Sequence, residues 1–371
     1  MTYPIELDFY PPPGETIREE LNERCISQKD FALRTGLTVK TVSQLMNGKA
    51  PITASIADKL EYVTGASSTF WLNLENNYRL YLKRKRNQGN PQVQEARKFA
   101  AQFPYADLVK RGACPATRNA VERQDALLRF FGVTDPTAFA NMYIAPMEGA
   151  ARLGSFRKWD AHAFAAWLRL AEVQAQKLET SAFSPARLQQ AVRQIRGLLS
   201  ADVPAVWGQV QETLASAGVA AVVEPELTGC RISGFSRFIA PQKALLAVSL
   251  RHGRVGTFWF NLFHELCHLL KHSKKKTFYN FAGDTPAQPL PAEDKEETEA
   301  NNYSRNLLIP QADWEEFSAG TKRFTAAAIR SFAKAHRLPA DIVLGRLEKE
   351  KLVPLSCPAL KPCRQLIETW S

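Results

Sequence analysis

The stretch from 258 to 272 reads FWFNLFHELCHLLKH and holds three of the chain's six histidines, His264, His268 and His272, four positions apart each time. On an α-helix this spacing stands His264 and His268 one above the other on a single face. Two imidazoles so placed can both reach one zinc ion, with metal–nitrogen distances of about 2.1 Å. Glu265, beside the first histidine, points to the open side of such a metal, where its carboxylate can take a proton from water. His264-Glu265-x-x-His268 is the spacing of zinc hydrolases. The chemistry it suits is amide hydrolysis: the metal polarises the scissile carbonyl and lowers the pKa of water toward about 7, and Glu265 serves as general base before carrying the proton to the leaving amine.

By chance such a pattern arises in on the order of one chain per hundred or more of this length, so a third ligand has to be found. The segment EDKEETEANNYSRNLLIP (293–310) offers a downstream helix with several carboxylates. Glu299 is the expected ligand, in mid-helix beside Ala300, with Leu307, Leu308 and Ile309 anchoring the helix end; Glu296, one turn earlier, is the fallback. A straight helix carries His272 about 12 Å from His264, too far to share one ion. It is therefore expected outside the ligand set or at the surface, and Cys267, off the ligand face, is expected as a packed thiol. Tyr303, Arg251 and His252 are candidates to stabilise an oxyanion.

The elements that must hold these groups are legible around them. Thr257 can cap a helix over about 258–271, whose Leu262, Phe263, Leu266, Leu269 and Leu270 bury the side away from the ligands. Before it, GVAAVVEP, RISGFSRFIAP and KALLAVSLR are short, β-branched or aromatic runs separated by turn residues and read as consecutive strands. KALLAVSLR, next to the helix, could offer an edge on which an extended peptide is added as a strand. Residues 93–217 read as mostly helical, with Ser184 capping a helix that has Pro185 at its first position. Helices are expected over 292–308, and two more within 326–351.

A second informative stretch is SQKDFALRTGLTVKTVSQLMNG, residues 27–48. Ser27 caps one helix, Gly36 makes the turn, Thr38 caps the next, and Asn47-Gly48 ends it. This is a helix-turn-helix, a unit whose second helix lies in the DNA major groove. Lys40, Thr41 and Gln44 are then placed to meet bases and Gln28 and Thr38 to meet phosphates, with Val42 and Leu45 turned inward. Residues 1–79 hold eight Lys or Arg against ten Asp or Glu, whereas residues 80–130 hold eleven against four. Arg84, Lys85 and Arg86 could thus supply phosphate contacts that the helical unit lacks.

Over the whole chain of 371 residues, Lys and Arg exceed Asp and Glu by 48 to 37, so an acidic partner such as nucleic acid is plausible. The six cysteines form no close CxxC pair, which suits reduced thiols and a cytoplasmic protein. The first residues lack the basic start and apolar core of a signal peptide, and no apolar run approaches 18 residues. No membrane partner is expected.

The fold class that follows is α+β and mostly helical: an N-terminal all-α helix-turn-helix domain (1–86), a helical linker or middle region (93–217), a zincin-like domain with a small sheet and the HExxH helix (218–320), and a helical extension (321–371). Two families are recognisable in these motifs. Residues 8–80, with PPPGETIREEL, the helix-turn-helix and FWLNLENNYRLYL, resemble the HigA-type antitoxin repressors of the XRE class. Residues 218–350, with SGFSRFIAP, FWFNLFHELCHLL, EANNYSRNLLIP and IVLGRLEKEKLV, resemble the ImmA/IrrE metallopeptidases. That resemblance implies Zn2+ held by His264, His268 and Glu299, with Glu265 as base. It implies cleavage of an XRE-type repressor or other partner protein, such as a toxin, in a toxin–antitoxin, mobile-element or stress-response setting. A double-stranded DNA operator bound by a homodimer is the other implied partner. The departures are Cys267 where Gly is usual and Tyr303-Ser304 where Phe-Ala is usual. The alternative reading is an antitoxin-like repressor whose peptidase domain binds a partner or signal without cutting it.

Overall fold

The computed structural model describes residues 10–86, 91–146, 160–272, 278–281, 295–321, 323–355, 357–367 and 370. It divides into two compact units, residues 1–98 and 99–371. Most described residues are helical, and no helix among them is long and apolar enough to cross a membrane.

The first unit consists of α1 (Pro13–Glu23), α2 (Gln28–Thr35), α3 (Val39–Met46), α4 (Ala54–Thr64) and α5 (Ser68–Arg86). Side-chain caps start three of them: Ser27, Thr38 and Thr53 each accept a hydrogen bond from the backbone N–H three residues on, each cap contributing about 1 kcal/mol. Gly36 ends α2 at φ 64°, a conformation that costs glycine nothing and a branched residue a good deal. Ile17, Leu21, Phe31, Val42, Leu45, Leu60 and Trp71, all at most 3% exposed, close the core.

In the second unit a sheet of β1 (Val219–Val223), β2 (Ile232–Ala240), β3 (Lys243–Val248) and β4 (Phe278–Phe281) runs in the order β1-β3-β2-β4. β1 and β3 are parallel, and β2 is antiparallel to both of its neighbours. Alternation sorts the side chains onto two faces. Val219, Ala221, Val223, Ala244, Leu246 and Val248 enter one core, while Ala220, Val222, Leu245 and Ala247 enter the other. Because both faces are covered, VAAVV and, after Lys243, the ALLAV of β3 are apolar throughout instead of alternating.

Two expectations are corrected here. KALLAVSLR is not an edge: β3 lies between β1 and β2, with both its hydrogen-bonding sides used. Strand order depends on tertiary pairing, and β4, whose YNF run follows the histidine helix, takes the outer place beside β2. Nor is the middle region a linker. Its helices Tyr105–Lys110, Ala120–Phe131 and Ala161–Lys177 pack on one face of the sheet, and Pro185–Arg196 and Val203–Ser216 pack on the other.

The histidine helix runs over Val255–Lys271 and starts earlier than expected, without Thr257 as cap. Asp341, from the helix Ala340–Lys349, accepts from the Gly256 N–H at 2.8 Å and from the Arg254 guanidinium at 2.7 and 3.0 Å. Glu348 takes the remaining arm of Arg254 at 2.6 Å. On the other side, the Val255 N–H donates to the Gln365 carbonyl and the Ile367 N–H to the Gly253 carbonyl. Residues far along the chain therefore fix where this helix begins.

Candidate functional site

The histidine helix packs its apolar side, with Leu262, Phe263, Leu266 and Leu269, into the core of one sheet face. His264 and His268 are each 1% exposed and Glu265 is 0% exposed. Against it lies the acidic helix Lys295–Leu308. The Ser304 hydroxyl donates to the Phe260 carbonyl at 2.8 Å, and Ala300 is fully buried, so the two backbones meet closely.

That approach brings three donors together. His264 Nε2 and His268 Nε2 are 3.0 Å apart, and the two oxygens of Glu297 stand 3.1 Å from the first and 3.2 Å from the second. The three ligand atoms lie within 4.8 Å of one another. Donors around a tetrahedral zinc with bonds of about 2.1 Å are about 3.4 Å apart, so this set fits the ion with shifts of a few tenths of an ångström. Electrostatics agree with the geometry. Burial works against the Glu297 charge, yet the hydrogen bonds with His264 and His268 outweigh it and pull its carboxyl to about 2. Burial also works against a charge on His264, but Glu297 and Glu265 overcome it and raise that imidazole; His268, buried and flanked by His264 and His272, is lowered despite Glu297.

Glu265 leans the other way, onto β2. Its Oε2 accepts from the Ser236 hydroxyl at 2.7 Å. A Cβ placed on Gly234 would stand 2.7 Å from Oε1, so only glycine admits the carboxylate there. Oε1 itself is buried with no hydrogen-bond partner among the described residues. Burial pushes this carboxyl up to about 8, against the opposing charge of His264 and the Ser236 hydrogen bond. Oε2 is thus fixed by Ser236, and Oε1 is the oxygen open to a proton.

The structure brings His264 and His268 together with Glu297, sets Glu265 against Ser236 with His264 as its nearest opposing charge, and places Glu299 elsewhere. Glu299 is 47% exposed, accepting from Lys271 Nζ at 2.7 Å and facing His272 Nε2 at 3.2 Å. Two residues along a helix turn the side chain by about 200°, so Glu297 and Glu299 occupy opposite faces. Glu296 is outside the cluster too. The signal for Glu297 was in the sequence: Ala300, Ser304 and Leu308, small or apolar at helical spacing from it, mark the buried face. No such signal pointed to Gly234 and Ser236, 29 or more positions before Glu265, which they serve. Cys267 is fully buried, and burial pushes its thiol up to about 12. Tyr303 lies on the Glu299 side, its ring 5.4 Å from Lys271 Nζ, while Arg251 sits in the short 3-10 turn before the histidine helix. The His252 side chain is outside the described residues.

In the first unit Gln28, Thr38, Lys40 and Gln44 are exposed and Thr41 is half-buried, while Val42 and Leu45 are inward. The Thr38 and Thr41 hydroxyls are 2.8 Å apart, so both also serve the start of α3. The side chains of Arg84, Lys85 and Arg86 lie outside the described residues.

Comparison with known proteins bears on both sites. Residues 17–72 match the helix-turn-helix family model and residues 237–348 match that of the IrrE N-terminal-like domain, a peptidase family. A curated relative, the uncharacterized HTH-type transcriptional regulator YddM of Escherichia coli, is 41% identical over 76 residues, which is 20% of this chain and 81% of that protein. The chain belongs to the helix-turn-helix regulators, with an IrrE-like domain. Among solved structures, an addiction module antidote protein of the HigA family from Coxiella burnetii is 30% identical, covering 21% of this chain and 86% of that one, at a TM-score of 0.20. The IrrE-like match takes in the histidine helix and the acidic helix and begins one residue after Ser236. The regulator's α1 to α4 fall within the helix-turn-helix match apart from the first turn of α1.

Proposed function

We propose that this regulator is a zinc-dependent endopeptidase that works while attached to DNA. The observation that carries the proposal is the convergence of His264 Nε2, His268 Nε2 and a Glu297 oxygen within 4.8 Å, next to a buried Glu265 whose Oε1 has no hydrogen-bond partner among the described residues. His264, His268 and Glu297 hold the ion, with Glu297 taking the role that the sequence suggested for Glu299. Zinc, when bound, supplies Lewis acidity toward a peptide carbonyl and toward water. Glu265 accepts a proton at Oε1 and passes it to the leaving amine, while Ser236 and Gly234 keep the carboxylate in one orientation. The substrate is a segment of a protein, an XRE-type repressor or a toxin, and the setting is a toxin–antitoxin, mobile-element or stress response in the cytoplasm. Lys40, Thr41 and Gln44 meet bases and Gln28 and Thr38 meet phosphates of an operator read by a homodimer in two half-sites.

A second reading, a repressor whose IrrE-like domain binds a partner without cutting, is favoured by one observation: both imidazoles and Glu265 are at most 1% exposed. Zinc analysis and cleavage separate the two. One zinc per chain in protein purified without chelator, lost in His264→Ala and Glu297→Ala, is the expected result. If cells carrying the wild-type chain and Glu265→Gln give the same set of protein fragments, the peptidase reading fails and the binding reading stands.

A further inference from the structure

Beyond the three donors, a line of side chains runs from His268 to the protein surface. His268 Nδ1 is 2.8 Å from His272 Nδ1, His272 Nε2 is 3.2 Å from Glu299 Oε2, and Glu299 Oε1 accepts from Lys271 Nζ at 2.7 Å. The His272 side chain is only 4% exposed, so it is a packed group and not a surface histidine. With both rings neutral, one proton assignment satisfies these three contacts. The Glu299 carboxylate, already paired with Lys271 Nζ, accepts at Oε2, so His272 donates to it from Nε2. Its Nδ1 is then a lone pair, and His268 must supply the proton on Nδ1. The remaining nitrogen of His268, Nε2, is left as a lone pair aimed at His264 Nε2 and Glu297. The opposite assignment puts a proton on His268 Nε2, where a metal ligand cannot have one.

We propose that His272 and Glu299 are positioning residues for His268: Glu299 fixes the tautomer of His272, and His272 in turn fixes the tautomer and ring orientation that make His268 Nε2 a metal ligand. This rests on the metal-centre reading given above. It also explains why a half-exposed carboxylate two residues from Glu297 is tied down at both oxygens. An exposed pair with Lys271 contributes little to stability, so the arrangement answers to the histidines and not to the fold. Partners of this kind, hydrogen-bonded to the ring nitrogen that faces away from the metal, typically alter metal affinity by about 10- to 100-fold when removed.

The test is zinc affinity of the full chain, measured by competition with a chromophoric chelator, in six variants with Tm recorded alongside. His272→Leu removes the acceptor and is expected to weaken zinc binding by about 10- to 100-fold. His272→Asn returns an acceptor oxygen near the position of Nδ1 and is expected to recover most of that loss, which a mere packing role would not allow. Glu299→Leu is expected to weaken binding in the wild-type background and to have no effect in the His272→Asn background, where no tautomer remains to be set. Wild-type affinity in His272→Leu, or a His272→Asn chain as weak as His272→Leu, overturns the assignment. Retention of zinc by His264→Ala and Glu297→Ala would instead overturn the metal centre itself. Loss in those two without any change in His272→Leu overturns the positioning role alone.

Discussion

Replacing Gly234 by alanine puts one methyl carbon 2.7 Å from Glu265 Oε1 and 2.8 Å from its Cγ. Neither backbone can retreat. Gly234 is paired on both sides, with Val248 of β3 and Asn280 of β4, and the histidine helix is pinned at its start by Asp341 and residues 365–367. The carboxylate must therefore swing away, and in doing so it loses the Ser236 hydroxyl at 2.7 Å. Overpacking of a filled interior costs about 1–3 kcal/mol, and a buried polar group left without its hydrogen-bond partner about 1–3 kcal/mol. Since the swing relieves the first at the expense of the second, the two do not add, and a net loss of about 2 kcal/mol is expected. For a domain of this size that is a fall in Tm of about 4–8 °C. Zinc content should be unchanged, because no atom of His264, His268 or Glu297 is touched, while fragment production in cells should vanish with the displaced Glu265. Thermal unfolding and metal analysis on the same preparation read both quantities. A Gly234→Ala chain with wild-type Tm and wild-type cleavage would refute the view that this glycine exists to admit the carboxylate.

Three further outcomes are expected. Asp341→Ala leaves the buried Gly256 N–H without its acceptor and Arg254 with Glu348 alone, so it should destabilise the second unit by about 1–3 kcal/mol in urea unfolding while leaving specific DNA binding intact. Gln44→Ala should cost about 1–3 kcal/mol in binding to the operator and little on unrelated DNA, whereas Gln28→Ala should weaken both alike; equal losses in the two variants would remove α3 from the major groove. Hydrogen bonds from Thr228, its backbone N–H foremost, hold the Asp107 carboxyl below the usual carboxylate range. A depressed folded-state pKa gives stability that is complete above the unfolded value and disappears as the pH falls through the folded one, so the advantage of the wild type over Asp107→Asn should be full at neutral pH and close in strong acid. A gap that widens on acidification would contradict it.

The local signals were readable wherever chemistry and backbone are neighbours in sequence. Ser27, Gly36 and Thr38 mark the helix-turn-helix because a cap or an αL glycine acts on residues two to four positions away. His264 and His268 share a face for the same reason. What escaped depends on long-range pairing. The histidine helix begins at Val255 because Asp341, 85 positions on, accepts from the Gly256 N–H; Thr257 had only its own chemistry to recommend it. Glu299 sits in the helix middle, but the turn of the helix brings Glu297 to the two imidazoles and leaves Glu299 to His272. ALLAV reads equally well as an edge or a central strand, since burial on both faces makes either uniformly apolar.

The clamp on the histidine helix also sets an order of events during synthesis. The Val255 N–H waits for the Gln365 carbonyl, and the Gly253 carbonyl for the Ile367 N–H. A ribosome must have passed residue 367 before the helix that carries His264 and His268 acquires its starting hydrogen bonds. Among the described residues, the core of the first unit draws on residues between Ile17 and Leu74, so this unit can fold while the rest of the chain is still being made, as domains generally do in N-to-C order. A nascent chain is thus able to form its helix-turn-helix well before its histidine helix is anchored, and a message cut short before codon 365 would yield the first without the second.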